Sequence, residues 1–547
     1  MPVPRRTVSA KPVVPALPPA LLGLCLTVFA AGAIARDAAA LWLPHLDVEG
    51  RFGNKRNIGE ADLFLPLAQD ARTLYFANVR TRFDNESGRE GNFGLGARRM
   101  LENGWNLGTY GYFDRRRSPD TGFHYNQTTL GIEALGPDFD LRANAYVPVG
   151  TRTHDLGSTS TVALSGSTVQ VTTTTREERS LQGFDAEAGW RLPIFDSEAR
   201  RQLRVYAGGY HFSTAGITVE GPRARAELAF EDLGWFGRGT AFFVGAEAQH
   251  DETRGSQRYL SVRLRVPLGK VDTPRGPLSA QAQRMTAPVV RDVDVVTQSH
   301  VASRQIETAT TTANGQAFTV ITSADAANAA ALNSALVTAG NGSTVLLSGT
   351  FNTTSPIQML PNQTLTGALT VRSPSGQTAT INTGAAILAT NAIRTMEVSS
   401  GGTLSGLTLT NTFSGGLGGS AVLVSDGATN IRISDNIIST VQNGANAGIG
   451  LSFGMNTSGM VSGNTITVTG SGAATTMTAL AVTSGNTVLT VSGNTLSASG
   501  GASNYRVWSQ AGTVFNPGST GNIRGSGNCN GTSASGSLVF TDNSHCP

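Results

Sequence analysis

The amino-acid sequence predicts an all-β protein: a 12-stranded antiparallel transmembrane β-barrel, then a linker, then a C-terminal stack of parallel β-coils. Three observations predict it. Residues 45–268 alternate apolar and polar side chains in runs of about nine to thirteen residues, separated by turn residues. No stretch after the first 35 residues is long and apolar enough to cross a bilayer as a helix, and a closed barrel is the other structure that satisfies every backbone hydrogen bond in lipid. Beyond residue 400 a short Asn-containing motif recurs at about 28 to 30 residues, a solenoid-like period.

The N-terminus reads as a secretory signal peptide over residues 1–35: Arg5 and Arg6, the apolar stretch Ala20 to Ala31, then Ala33-Ile34-Ala35 as a small-x-small cleavage site. A membrane-anchor helix is the competing reading, but glycines break the run and a cleavage pattern ends it. Cys25 raises a lipoprotein alternative, yet Leu24 stands where that signal needs a small residue. The exported chain then keeps two cysteines, Cys529 and Cys546, which most simply pair with each other. Only His545 lies near them, so no metal, cofactor or redox site is expected there. Charged residues make up 14% of the 547 and the net charge is +3, with lysine confined to Lys11, Lys55 and Lys270. Without a basic cluster interleaved with aromatics, nucleic acid is excluded as a partner.

The barrel is expected over residues 36–269. Strands are predicted near 45–53, 58–67, 73–84, 90–100, 104–115, 122–135, 138–148, 182–193, 201–213, 218–230, 239–250 and 256–268, an even number as a single-chain bacterial barrel requires. In the last of them Leu260, Val262, Leu264, Val266 and Leu268 share one face, opposite Tyr259, Ser261, Arg263 and Arg265. In the eighth, Phe184, Ala186, Ala188, Trp190 and Leu192 oppose Asp185, Glu187, Gly189 and Arg191. The connections Asn85-Glu86-Ser87-Gly88, Glu102-Asn103-Gly104 and Leu135-Gly136-Pro137-Asp138 are turns by composition. A soluble sandwich or lipocalin-like barrel also alternates, but the polar rows here carry charges that would be costly in a dry core, whereas a wet lumen lets Arg and Glu neutralise one another. The Ser/Thr-rich stretch from about Gly150 to Ser180 reads as a long loop on the outer side.

Gly104-Trp105-Asn106-Leu107-Gly108-Thr109-Tyr110-Gly111-Tyr112-Phe113-Asp114, Leu130-Gly131-Ile132-Glu133-Ala134 and Leu141-Arg142-Ala143-Asn144-Ala145-Tyr146 resemble the barrel of the intimin/invasin family of inverse autotransporters. The segment Met285 to Val296 does so too, and the similarity covers roughly residues 45–297. The resemblance implies a twelve-stranded outer-membrane barrel inserted by the barrel-assembly machinery, a linker that runs back through the pore, and a C-terminal passenger outside the cell, with adhesion as the default role. Two features depart from that family: almost nothing stands between the signal and the first strand to serve as a peptidoglycan-binding module, and the passenger lacks an immunoglobulin-like pattern.

Residues 270–315 read as an extended polar linker, with Arg291, Asp292 and Asp294 expected to find partners on the barrel wall; a flexible surface tether is the alternative. The passenger is expected over 316–547. Ser323 is placed as the cap of a helix carrying Ala327, Leu332, Leu336 and Val337 near one face, ended by Gly340-Asn341-Gly342, and Ser343 to Phe351 as a first strand. That order resembles the N-terminal cap of pectin-lyase-like right-handed parallel β-helices. The recurring motif places Asn436, Asn464, Asn494 and Asn522 above one another as a structural amide ladder, with Asp435 assigned to a ladder position, and a Cys529–Cys546 loop covers the open end of the stack.

Right-handed β-helices often cut polysaccharides, so a surface-displayed polysaccharide-degrading enzyme is the alternative function. From residue 318 onward the only carboxylates are Asp325, Glu397, Asp426, Asp435 and Asp542, and no pair stands out as an acid and base. No catalytic residue is assigned. A porin-like channel is a third reading, obstructed by the linker. Binding of glycans or host surfaces by a neutral hydroxyl- and amide-rich stack is favoured, with Tyr505 and Trp508 placed either to stack on a sugar or to plug the C-terminal end.

Overall fold

A computed structural model of the protein describes residues 41–546, apart from 197–199, 234, 237–238, 270–277, 293, 416–417, 484 and 534. The predicted signal peptide lies outside the described residues. Among the described residues the strands before the solenoid are β1 (His45–Gly53), β2 (Ile58–Gln69), β3 (Thr73–Asp84), β4 (Arg89–Met100), β5 (Asn106–Arg117), β6 (His124–Leu135), β7 (Phe139–Val149), β8 (Thr153–Ser165), β9 (Thr168–Ser180), β10 (Gln182–Leu192), β11 (Arg201–Thr214), β12 (Ile217–Phe230), β13 (Ala241–Asp251), β14 (Gly255–Pro267), β15 (Thr297–Ala309) and the two-residue Thr311–Thr312. Twelve of them, β1–β7 and β10–β14, close into one antiparallel barrel in which β1 pairs with both β2 and β14.

The barrel is polar inside and apolar outside. Phe93, Leu130, Ile132, Phe184 and Leu260 are exposed on its outer surface, whereas Asp47, Glu60, Asp62, Arg80, Arg142 and Glu187 are buried within it. Pleat alternation produces this directly: Glu187 pairs with Arg142 and Asp185 with Asn144 on the inner face, while the residues between them point outward. Only a lipid surround makes such an arrangement favourable, because apolar side chains then meet acyl chains and charges meet one another. The soluble-barrel alternative is thereby rejected.

Residues 150–180 are not a loop. They form the hairpin β8/β9, turned by Gly166 and Ser167, with Gly166 at φ +59°, a conformation a side chain would resist. Its outer part, residues 157–176, belongs with 301–547 to one compact unit; residues up to 156 with 177–300 form the other.

The second unit is a three-sided parallel β-solenoid whose sheets contain eight, seven and seven strands. One column of the first sheet runs Val345, Leu365, Leu404, Ile433, Val461, Val491, each paired in register with the next and each fully buried. Stacking equivalent positions of successive coils therefore builds one continuous apolar core. Helix α1 (Ala280–Arg284) lies in the linker, and α2 (Ala329–Ala339) contributes Leu332 and Leu336 to the solenoid core.

Three local expectations shift. The cap of α2 is Asn328, whose side chain accepts from the Ala331 amide at 2.9 Å, because residues after Ser323 are spent on a turn in which the Asp325 and Ala326 amides both donate to Thr322. Val337 is 63% exposed, since the buried stripe follows Ala329, Leu332 and Leu336. The stretch 343–351 is two strands, Thr344–Ser348 and Thr350–Thr353, bent at Gly349 with φ +90°.

Candidate functional site

The linker is held by the inward-facing side chains of the barrel. Ser279 caps α1 by accepting from the Ala282 amide at 3.2 Å, and the carbonyl of Ala282 accepts from the Trp42 indole at 2.7 Å. Beyond α1 the chain is extended, so its carbonyls need donors, and the wall supplies them. Arg98 donates to the carbonyls of Met285 at 2.8 Å and Ala287 at 2.6 Å, Arg80 to that of Val289 at 2.9 Å, and Asn144 to that of Val290 at 3.1 Å. Met285 and Val289 pack with Trp42, Phe76 and Tyr110.

The three charged linker residues find distinct partners. Arg291 pairs with Asp114 at 2.7 Å and lies 4.2 Å from the Tyr112 ring centre. The Asp292 amide donates to the Tyr146 hydroxyl at 2.6 Å, and the Asp294 carboxylate pairs with Arg56 and faces Arg116 at 3.7 Å. Two of these wall residues are themselves oriented by further pairs: Arg98 with Glu133 at 2.5 Å and Arg80 with Asp62 at 2.9 Å. Arg291 and Asp294 are thus each met by a counter-charge, the condition under which a buried ion pair is tolerated. Beside the linker remains a void lined by Glu49, Glu60, Arg223, Arg263 and Pro288 among others.

Sequence reasoning singled out Arg291, Asp292 and Asp294 but missed the donors Arg80, Arg98, Asn144 and Trp42. The three on strands lie on polar rows like many others, and only the linker's path distinguishes them; Trp42 stands just before β1 with no pattern around it.

In the solenoid, the Asn436 amide nitrogen donates to Asn464 Oδ1 at 3.0 Å, that of Asn464 to Asn494 Oδ1 at 2.9 Å, and that of Asn494 to Asn522 Oδ1 at 3.1 Å. Each carboxamide also reaches a backbone carbonyl of the preceding coil, as from Asn464 to Ile433 at 2.8 Å. Asp435 is not a rung. It stands one residue earlier at φ +56°, where the other coils place Gly406, Gly463, Gly493 and Gly521, because Asp tolerates this left-handed corner better than most residues. Cys529 and Cys546 are joined, with Cα atoms 5.3 Å apart. Phe515, Leu538, Phe540 and Cys546 fill the C-terminal end of the core, whereas Tyr505 and Trp508 are half-buried on the strand Ser503–Ser509.

A closed barrel that is apolar outside and charged inside is the architecture of an outer-membrane protein. Residues 44–212 match the family model for the inverse autotransporter β-domain. The closed barrel fits that outer-membrane β-domain, which seats it in the outer membrane with the passenger at the cell surface. Similar solved structures include a membrane protein from work on in-meso crystallization (16% identity, 47% of this chain and 100% of that chain, TM-score 0.33). The translocator domain of the autotransporter NalP from Neisseria meningitidis is 11% identical over 46% of this chain and 96% of its own, with a TM-score of 0.21. The β-domain of the Bordetella autotransporter BrkA is 13% identical over 41% and 99%, also at 0.21. No curated protein matches the chain.

Proposed function

We propose that the linker threads the lumen and that the β-solenoid it delivers is an adhesive surface for host cells, other surfaces or glycans. The barrel enters the membrane through the barrel-assembly machinery, and the asparagine ladder and the Cys529–Cys546 closure keep the displayed stack rigid. One observation carries the reading: the outer face of the seven-stranded sheet containing Thr408–Phe413 carries a neutral column of hydroxyls. Thr410, Ser439, Thr467 and Ser497 stand in register on successive coils, with Thr410 and Ser439 hydroxyls 3.0 Å apart, beside a column of Thr408, Ile437, Thr465 and Thr495. Repeated weak contacts along such a column add as avidity.

The passenger carboxylates support binding over hydrolysis, because four of them already serve the scaffold. Asp325 accepts from the Thr322 hydroxyl at 2.7 Å, Asp426 from the Met455 amide at 2.8 Å, and Asp542 from the Ser544 amide at 3.0 Å, while Glu397 pairs with Arg394. The test compares cells displaying the full chain with cells displaying one truncated after residue 315, on immobilised glycans and host-cell monolayers. Retention by the full chain alone supports adhesion; equal retention of both contradicts it.

A further inference from the structure

The first coils of the solenoid are apolar on two faces, unlike those that follow. Val345 and Leu347 point into the core, while Leu346 between them points outward and is nonetheless fully buried. The outward column through Leu346 runs Val320, Leu346, Thr366, Ser405, Ser434, Ser462, Ser492, so it is greasy only in its first two members and hydroxylic afterwards. A stack ending on Val320 and Leu346 would present an apolar surface to water, the condition that obliges repeat proteins to carry a cap.

Two hairpins supply the cover. One is inserted in the solenoid itself, Ala368–Arg372 paired with Thr378–Asn382, and contributes Val371 and Ile381. The other is the outer part of β8/β9, which the sequence inserts between barrel strands β7 and β10 and which contributes Val169 and Val171, 1% and 0% exposed. The outer part of β15 completes a three-stranded sheet with that hairpin and adds Ala309 to the same cluster. Beyond β15 the chain crosses to the inserted hairpin: Thr312 pairs with Val371, Thr311 with Arg372, and the Ser375 hydroxyl donates to Glu307. Ser158 and Thr175 hydroxyls, 2.8 Å apart, tie β8 to β9 on this outer part.

We infer that hairpin 157–176 is a docking site for the passenger's leading segment: its Val169/Val171 face binds β15 and the first solenoid coil, covering the outward apolar face of the first coils and serving as the template on which the coils assemble. The inference rests on the display reading only for the order in which the segments emerge. Val169 and Val171 belong to the part of the chain that precedes the linker, so they are in place when residues 301–382 arrive. A coil then finds its outward apolar face covered before the next coil is added, and parallel stacking, otherwise slow because its contacts are non-local, starts from a fixed edge.

The test uses the full chain in outer membranes with Val169→Asp and Val171→Asp combined, and separately with Val371→Asp. Barrel folding is read by heat-modifiable gel mobility and the first coils by the rate of proteinase K cleavage within residues 301–382. Docking predicts unchanged barrel mobility and cleavage at least tenfold faster for both variants; a rate within twofold of the unaltered protein for the hairpin variant overturns it. Should the barrel fail to form in that variant, hydrogen exchange on the unaltered protein decides: amides of 158–175 protected together with those of 344–348 support docking, and amides of 158–175 exchanging as a free turn overturn it. Failure of display itself is distinct, because the unaltered passenger would then resist external protease on intact cells.

Discussion

The barrel and the solenoid are built from the same period-two alternation and are inside-out with respect to each other. In the barrel Leu130 is 63% exposed and Arg98 is buried; in the solenoid Val461 is fully buried and Thr467 on the neighbouring sheet faces out. Strand alternation sorts side chains into two faces without stating which face is the core. The surroundings choose: lipid takes the apolar face of the barrel and water the polar face of the solenoid. The same substitution should therefore have opposite consequences in the two units.

The largest effect is expected from Val461→Asp. An unpaired carboxylate in the middle of the solenoid core costs about 3–5 kcal/mol, so the passenger should become protease-sensitive while barrel mobility on gels is unchanged. A passenger as resistant as the unaltered one would mean the coils do not share one core. Next comes Cys529→Ser. Opening a loop of 17-residue separation removes roughly 3 kcal/mol in the chain-entropy picture, confined to the final coil, so mass-resolved proteolysis should find new cuts after residue 515 only in the variant or in reductant.

The third prediction sets the two exposed surfaces against each other. Leu130→Arg, on a lipid-facing position near the middle of β6, should lower barrel stability by about 2–4 kcal/mol; Thr467→Arg, on a water-facing position, should stay within about 0.5 kcal/mol. Urea titration of each unit in lipid checks both, and equal effects would remove the contrast. The smallest loss in the core is Asn464→Ala. It deletes one rung and leaves partners on both neighbouring coils unsatisfied, for about 1–3 kcal/mol, measured as a fall in the passenger's unfolding midpoint; no fall would mean that the rung contributes nothing to the stack.

Much of the barrel was legible because each strand carries its own alternation and its own turn. The connection at Gly104, for example, adopts φ +86° as its composition implies. The hairpin β8/β9 was not, although Thr161-Val162-Ala163-Leu164 and Thr168-Val169-Gln170-Val171 alternate around Gly166: the residues that bury Val171 lie some two hundred positions away, so nothing local distinguishes a docked hairpin from a Ser/Thr-rich loop. Helix α1 escaped because five residues are too short for periodicity to register. In the candidate site, Arg291 and Asp294 stood out as charges in a polar linker. Arg98 did not, since its task is to donate to carbonyls, and any extended segment offers carbonyls.

Inverse display is tested most directly by protease shaving of intact cells, with one tag after residue 547 and another inserted between residues 36 and 44. The C-terminal tag should be lost while the N-terminal tag survives on a protected fragment of about barrel size. Protection of both tags would contradict it.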